Sequence, residues 1–423
     1  MNALCISAIA SNQGKTILTT ALLYHFKKSV RPFKIGPDFI DPQFHEKVCG
    51  TPSINLDTCI MKEEQVQWMF AHYSNKEYAI LEGVMGFYDG MDKGSSAYDV
   101  SKLLKVPTVL VLDASGSYIT LSAVLKGLKE YRSDCTIKGV VFNHVGSQGH
   151  FELIKNRVEQ DFKDIVVLGW IKKGLETLQS THLGLDLKES EKEKLEELSQ
   201  EVLEHIDLGV LERMSQIKKL NIQEYPFETI EKSKQHLAVV HDQNFSFLYH
   251  DNLEFLKEQF ETVTLVNGIN NEEVPKDCDV LYIPGGYIET KEAYERIKDA
   301  NAFKNSIIAH AKRKRPIYAE CAGLLFISKC VDEKKMLGLL DIEFTLSNRF
   351  VRMGYYENDL GITGHAFHYT KPKNENIQGE YTLYKGNKAL GKVAAFQKGT
   401  VFGTYLHTMF RNNFTKIQDK FGF

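Results

Sequence analysis

Two short stretches of this chain carry residue types that can make and break covalent bonds. The first is Tyr318-Ala319-Glu320-Cys321-Ala322-Gly323. A short apolar run, Pro316 to Ala319, meets a cysteine and two small residues, and an apolar helical pattern (Leu324, Leu325, Phe326, Ile327) follows at once. A strand turning sharply into a helix exposes a nucleophile at the corner and points backbone N–H groups at it. Those N–H groups favour the thiolate, which predicts a lowered pKa for Cys321. The sextet alone fits a buried core cysteine equally well, the usual fate of a free thiol. The second stretch is Ser11-Asn12-Gln13-Gly14-Lys15-Thr16, between an apolar run at residues 3–10 and a helical pattern through Leu18, Ala21, Leu22 and Phe26. Loop N–H groups around Gln13 and Gly14, with the helix dipole, can hold phosphates, with Lys15 on the β/γ-phosphates and Thr16 on Mg²⁺. The full signature wants a glycine five positions before Gly14, where Ile9 stands, so this reading rests on context.

Two acidic positions follow at the ends of expected strands. Arg31 to Ile35 reads as a strand that opens into the loop Gly36-Pro37-Asp38-Phe39-Ile40-Asp41-Pro42. Turn chemistry explains such a loop, and so does an Asp38 that leaves the strand beside the phosphate loop to help hold the metal. Tyr78 to Leu81 delivers Glu82, followed by Gly83-Val84-Met85-Gly86. An acid at the end of a buried strand is where a nucleotide hydrolase keeps a Mg²⁺ ligand. The alternative is a loop cap. The glycines after it would let backbone approach a ligand.

Stepping outward, strands and helices alternate through both halves. Val106 to Asp113, Ile137 to Phe142 and residues 165–169 read as strands, and residues 119–131 and 150–161 as helices. Such alternation means a parallel sheet with functional loops at the strand C-termini. Glu189 to Glu204 is a Glu/Lys-rich helix, and residues 221–235 read as a linker between a domain at 1–220 and a second α/β domain at 236–423. The second domain has strands at 236–240, 263–266 and 280–283, the last ending in Pro284-Gly285-Gly286-Tyr287, then one helix from Lys291 to Lys312.

A length of 423 residues allows two or three domains, and 43% hydrophobic with 25% charged residues is ordinary for a globular chain. A net charge of -3 gives no electrostatic case for nucleic acid or an anionic membrane as partner. The seven cysteines contain no C-x-x-C pair, against a zinc site or a disulfide framework and for a reducing compartment. No apolar run nears the roughly 18 residues of a membrane span. The N-terminus has no basic n-region, so a cytoplasmic protein is expected.

Taken together, Lys34-Ile35-Gly36-Pro37-Asp38-Phe39-Ile40-Asp41-Pro42, Glu82-Gly83-Val84-Met85-Gly86, Ala319-Glu320-Cys321-Ala322-Gly323 and the closing Tyr405-Leu406-His407 resemble the cobyrinate a,c-diamide synthase family over essentially the whole chain. The resemblance implies a P-loop domain of dethiobiotin-synthetase type that binds ATP, Mg²⁺ and a tetrapyrrole carboxylic acid. It implies, second, a class I glutamine amidotransferase domain of flavodoxin-like α/β architecture. Cys321 would attack the glutamine amide, His407 would serve as acid/base, and backbone N–H groups near Gly286 and Ala322 would hold the oxyanion. Ammonia would displace phosphate from an acyl phosphate made with ATP, on the a and c acetates in turn. Thr16, Asp38 and Glu82 would surround Mg²⁺, Asp89 would orient the substrate carboxylate or acyl phosphate, and Asp41 would assist at the cofactor.

The chain departs from the family in places. Ala8 and Asn12 stand where glycine is usual; Asn tolerates the left-handed conformation, so the loop is expected to survive. Met409 stands where most class I glutaminases carry a Glu two residues after the histidine; cobyrinate-type synthases also lack that Glu, so the absence supports this subfamily while it leaves the partner of His407 unidentified. In Gly364-His365-Ala366-Phe367-His368, Ala366 stands where relatives carry an acid; His365 and His368 would face opposite sides of a strand, in structural roles. His45 reads as a packing or surface residue. Two other readings stay open: the same chemistry on hydrogenobyrinate or Ni-sirohydrochlorin, and a partitioning-type regulatory P-loop ATPase, which leaves Cys321 and His407 without purpose. A homodimer is neither required nor excluded.

Overall fold

The structure is a computed structural model in which residues 1–175, 189–222, 224–374 and 376–422 are described. The chain divides into two units, Met1–Pro226 and Phe227–Phe423. The division falls inside the stretch expected as a linker, but that stretch is shorter than expected. A strand already begins at Ser233, because Ser233 pairs with Phe260 and draws polar residues into the sheet edge.

The first unit runs β1 (Asn2–Ala8), α1 (Lys15–Phe26), β2 (Val30–Ile35), α2 (Ile40–Cys49), β3 (Ile54–Leu56), α3 (Glu63–Tyr73), β4 (Tyr78–Glu82) and α4 (Ala97–Leu104). It continues with β5 (Thr108–Asp113), α5 (Ile119–Glu130), β6 (Ile137–Val145), α6 (Gln148–Asp161), β7 (Val166–Lys172), α7 (Glu189–Leu203) and α8 (Leu208–Ser215). Seven strands form one parallel sheet in the order β3-β2-β4-β1-β5-β6-β7. Helices cover both faces of such a sheet, so its central strands read as unbroken apolar runs rather than alternating ones. Leu4, Cys5 and Ile6 of β1 and Val109, Leu110 and Val111 of β5 are all buried. The order brings the ends of β1, β2 and β4 side by side, so the loops holding Lys15, Asp38 and Glu82 converge.

Two expectations shift here. The loop after β2 is shorter than Gly36–Pro42, because α2 begins at Ile40. Asp38 Oδ1 accepts the N–H groups of Ile40 (2.8 Å) and Asp41 (3.2 Å), and Pro42 is tolerated within a first helical turn. The glycines after Glu82 serve the protein's own backbone. A Cβ on Gly86 would lie 2.4 Å from the Ile9 carbonyl oxygen, and Phe87 N–H donates to Ala8 O at 2.8 Å. The loop after β4 is thereby stitched to the phosphate loop.

The second unit runs β8 (Ser233–Val240), α9 (His250–Gln259), β9 (Phe260–Val266), β10 (Val280–Ile283), α10 (Lys291–Ile297), α11 (Asn301–Lys312), β11 (Ile317–Glu320) and α12 (Ala322–Ile327). Short strands follow: β12 (Cys330–Val331), β13 (Lys334–Lys335), β14 (Glu343–Leu346), β15 (Arg352–Asn358), β16 (Thr363–His368) and β17 (Thr370–Pro372). The chain ends with β18 (Leu383–Lys385), β19 (Lys388–Ala389), β20 (Ala395–Lys398), β21 (Val401–Thr404) and α13 (Phe410–Phe421). The main sheet has the order β20-β21-β11-β10-β8-β9, parallel except for β20 against β21. Two four-stranded sheets, β13-β12-β14-β17 and β16-β15-β18-β19, take up most of the rest. The single helix expected over Lys291–Lys312 is two helices. Asn271 Oδ1, from a loop distant in sequence, accepts the Phe303 N–H at 3.0 Å and so caps the second one. No local pattern could have signalled that break.

Among the described residues no helix is long and apolar enough to cross a membrane.

Candidate active site

The phosphate loop keeps its shape despite its missing glycines. Asn12 has φ 60 and Gly14 has φ 100, so the left-handed positions are filled by the two residue types that accept them most readily. Asn143, at the end of β6, donates from Nδ2 to Gln13 O at 3.0 Å and clamps the loop from below. Lys15 Nζ reaches back over the loop to Ala10 O at 2.9 Å, and burial holds its pKa below the ordinary lysine value. The charges that act on it include Glu82, Lys34, Asp41 and Asp89.

Glu82 is the hub of this site. Its Oε1 accepts from Thr16 Oγ1 at 2.9 Å and from Lys34 Nζ at 3.3 Å, and its Oε2 lies 2.8 Å from His45 Nε2. Burial pushes the carboxyl up, but Lys34, His45 and Thr16 outweigh it and hold Glu82 well below the usual carboxylate range. Lys34 is as deeply buried, which pushes its pKa down; Glu82, Asp41 and Asp38 reverse that and hold it charged. Asp41 is ion-paired to Lys34, and Asp38 Oδ2 lies 3.6 Å from the same ammonium. Burial and the Glu82 charge raise Asp41 to about 6 in spite of Lys34. Asp89 is exposed and spends one carboxylate oxygen on the Gly86 N–H at 2.7 Å. Its role on a substrate therefore competes with a turn it stabilises.

The donor set bears on a metal. Thr16 and the neighbouring carboxylates are hard oxygen donors of the kind Mg²⁺ takes. Among the described residues no group of three or more His, Cys, Asp or Glu could hold a metal by itself. The set fits an ion whose other ligands are nucleotide phosphate oxygens and water. Lys34 and Asn143 were not singled out from the sequence. His45 was read as packing or surface, whereas it is fully buried and tied to Glu82 and, through Nδ1, to Ser53 Oγ at 3.2 Å. A buried polar residue inside a helix four positions after an acid was the available signal.

In the second unit Cys321 stands at the corner between β11 and α12 with φ 46 and ψ −103, a left-handed value that a Cβ-bearing residue adopts at a cost. The corner is pinned by Cys321 N–H to Thr404 O at 2.7 Å and Gly323 N–H to Pro284 O at 3.1 Å. The backbone N–H groups of Ala322 and Gly286 bear on the sulfur. Gly286 has no alternative there, since a Cβ would lie 1.9 Å from Asn244 O.

The thiol itself departs from expectation. Burial pushes the Cys321 pKa up, the negative charges of Glu289 and Glu320 push it further, and the two N–H groups do not compensate. The two N–H groups do lower it, as a helix N-terminus should, but burial first and the two carboxylates after it outweigh them. Cys321 is 7% exposed, so the side chain is mostly, not wholly, enclosed.

His407 follows β21 at the same end of the sheet. Its Cε1 and Nε2 lie against Gly285, where a Cβ would come within 2.3 and 3.1 Å of them. Its Nδ1 is 3.2 Å from Glu320 Oε2. The tautomer that carries its proton on Nδ1 donates to this carboxylate and leaves Nε2 free of that contact, against Gly285. Glu320 is anchored in turn by the hydroxyls of Tyr282 (3.1 Å) and Tyr318 (3.3 Å). The orienting acid thus comes from the residue immediately before the cysteine. Within the motif Ala319-Glu320-Cys321 it was visible; nothing local said that its side chain turns toward His407. His365 pairs its backbone with that of His407 (2.8 and 2.9 Å), stacks on its ring and meets Tyr249 Oη through Nδ1 at 3.1 Å. His368 is 2.9 Å from Thr370 O and stacks on Tyr405.

Residues 4–183 match the CobQ/CobB/MinD/ParA nucleotide binding domain family, and residues 236–414 match the CobB/CobQ-like glutamine amidotransferase domain family. The chain is 34% identical over 440 residues to the cobyrinate a,c-diamide synthase of Saccharolobus solfataricus, covering 97% of this chain and 98% of that one. It is 32% identical over 453 residues to the enzyme of the same name from Listeria monocytogenes, covering 100% and 99%. A P-loop nucleotide-binding domain is therefore followed by a glutamine amidotransferase domain, and the chain belongs to the cobyrinate a,c-diamide synthase family of glutamine-hydrolysing ligases.

Proposed function

We propose that the chain converts the a and c acetate carboxylates of cobyrinate to amides in cobalamin biosynthesis, using ATP and the nitrogen of glutamine. The observation that carries the glutamine half is the His407–Glu320 pair beside a cysteine at a left-handed corner, with two backbone N–H groups on its sulfur. His407 Nε2 takes the Cys321 proton, and the sulfur attacks the glutamine side-chain amide carbon. The negative oxygen of the tetrahedral intermediate is met by the N–H groups of Gly286 and Ala322. The imidazolium returns its proton to the departing nitrogen, which leaves as ammonia. Water, deprotonated by the same imidazole, then cleaves the thioester to give glutamate.

In the first unit Lys15 and the loop N–H groups from Gln13 to Thr16 would cradle the triphosphate. Thr16 and Glu82 would hold Mg²⁺, with Asp38 beside them, and the ion would neutralise phosphate charge there. The substrate carboxylate attacks the γ-phosphorus, ADP leaves, and ammonia displaces phosphate from the acyl phosphate to give the amide. A free carboxylate does not undergo this exchange because its oxygen is a poor leaving group. Lys34, with His45 and Thr16, holds Glu82 well below the usual carboxylate range, so the acid is ionised at neutral pH. Asp89, beside Lys15, would orient the incoming carboxylate, and Asp41 would act through Lys34.

Incubating the protein with ATP, glutamine and, separately, cobyrinate, hydrogenobyrinate or Ni-sirohydrochlorin tests the reading by mass spectrometry. A gain of two amide groups on cobyrinate is expected. Amidation of one of the other acids alone would reassign the substrate, and ATP hydrolysis with no amide on any of them would sink the reading.

A further inference from the structure

The loop that brings Gly286 to the sulfur continues through Tyr287 and Ile288 to Glu289 and then enters α10, capped by Thr290 Oγ1, which accepts the Ala293 N–H at 3.2 Å. Glu289 Oε2 is sealed from solvent and has no hydrogen-bond partner among the described residues. Of the charged groups near the Cys321 thiol, Glu289 acts on it most strongly. The titratable groups that act on this pair are Glu320 on the sulfur and Lys334, from β13, on the carboxylate, with Tyr405 adjoining both. Lys334 does not offset burial, which pushes the Glu289 carboxyl up to about 7.

A carboxylate held this way is a standing cost unless a cation with N–H donors meets it. The amide carbon of the substrate must sit on the sulfur, with its oxygen toward the N–H groups of Gly286 and Ala322. Glutamine then carries an ammonium at the far end of a short alkyl chain. The Glu289 charge adds to burial, the larger cause, in pushing the Cys321 thiol up. A negative neighbour disfavours the thiolate, and neutralising that neighbour removes its share of the shift.

Resting on Cys321 as the nucleophile, we infer that Glu289 is the subsite for the α-ammonium group of glutamine, which meets the buried carboxylate oxygen left without a hydrogen bond among the described residues. An amide that lacks the ammonium leaves that oxygen unmet.

The experiment uses the full chain. Glutaminase kcat/KM is measured for glutamine and for glutaric acid monoamide, which lacks the α-ammonium, in the wild type and in Glu289→Gln. Alkylation of Cys321 by iodoacetamide is followed against pH in both. A site built around a polar group rejects the analogue lacking it by about 10⁴-fold. That preference is expected in the wild type and should fall at least about 100-fold in Glu289→Gln, mainly through glutamine. The alkylation profile of the free variant should move to lower pH, which loss of packing alone would not produce. Equal use of both amides by the wild type would overturn the assignment without any variant. A folded Glu289→Gln with the wild-type preference and alkylation profile would overturn it as well. Should Glu289→Gln not fold, Glu289→Asp replaces it, with a smaller fall in preference expected and an unchanged preference counting against the subsite. Glutaminase activity that survives in Cys321→Ala would instead refute the nucleophile on which the inference rests.

Discussion

Glu82 and Glu289 are both acids near a reacting group, one in each unit, and they are held in opposite ways. Glu82 has Thr16, Lys34 and His45 on its two oxygens and lies well below the ordinary carboxylate range. Glu289 has a sealed oxygen, unpartnered among the described residues, and is pushed up to about 7. In the first site every oxygen of the central acid is met by the protein itself, so Glu82 stands fixed beside the phosphate loop. The second is incomplete, and a charged ligand completes it. Preorganisation suits a site that must position a phosphoryl group. An unmet carboxylate suits a site that must tell a charged ligand from an uncharged one.

The comparison can be broken most sharply at the sulfur. Cys321→Ser should lower glutamine-driven synthesis by at least about 10⁴-fold, while ammonia supplied directly still supports the first unit's reaction. Loss of both routes in a side-by-side assay would mean that the thiol holds the fold. Next comes the orienting acid. Glu320→Gln can no longer fix the His407 tautomer and should cost about 10³-fold in glutaminase kcat with little change in KM. An unchanged KM with an unchanged denaturation midpoint separates this from packing damage.

The third prediction sets the two carboxylates against each other through stability and pH. Glu82 is depressed in the folded state, so its contribution is present above the ordinary carboxylate pKa and lost as pH falls through the lower folded value. Glu289 is raised, from 4.5 to about 7, so folding pays for its ionisation increasingly as pH rises between those values. Glu82→Gln should then lower stability by about 3 kcal/mol at neutral pH, having left Lys34 with one counter-charge fewer. Glu289→Gln should raise stability at pH 8 by up to about 3 kcal/mol and leave it unchanged at pH 4. Chemical denaturation at the two pH values reads both; equal signs for the two variants would erase the contrast. The smallest effect is expected at Asn12. Asn12→Ala at φ 60 should cost about 1 kcal/mol, and Asn12→Gly should cost nothing or gain slightly.

How much of this was legible depended on the range of the interaction. The α/β alternation, the phosphate loop and the cysteine corner are local patterns of apolar runs and small residues, and they stand where the sequence put them. Asn12 was readable for the same reason, since left-handed tolerance belongs to the residue itself. The break between α10 and α11 was not, because its cap, Asn271, comes from another loop. His45 looked like packing because Glu82 lies 37 positions away in sequence.

The chain's order of residues, then, determined two parallel-sheet units and which side chains arrive at the ends of their strands. Tertiary structure alone decided that Glu320 faces His407, that Lys34 and His45 meet Glu82, and that burial, with Glu289 adding to it, raises the Cys321 thiol. The physical reason is that backbone pattern is set by near neighbours. The charge state of a buried group is a sum over everything packed around it, whatever its place in the chain.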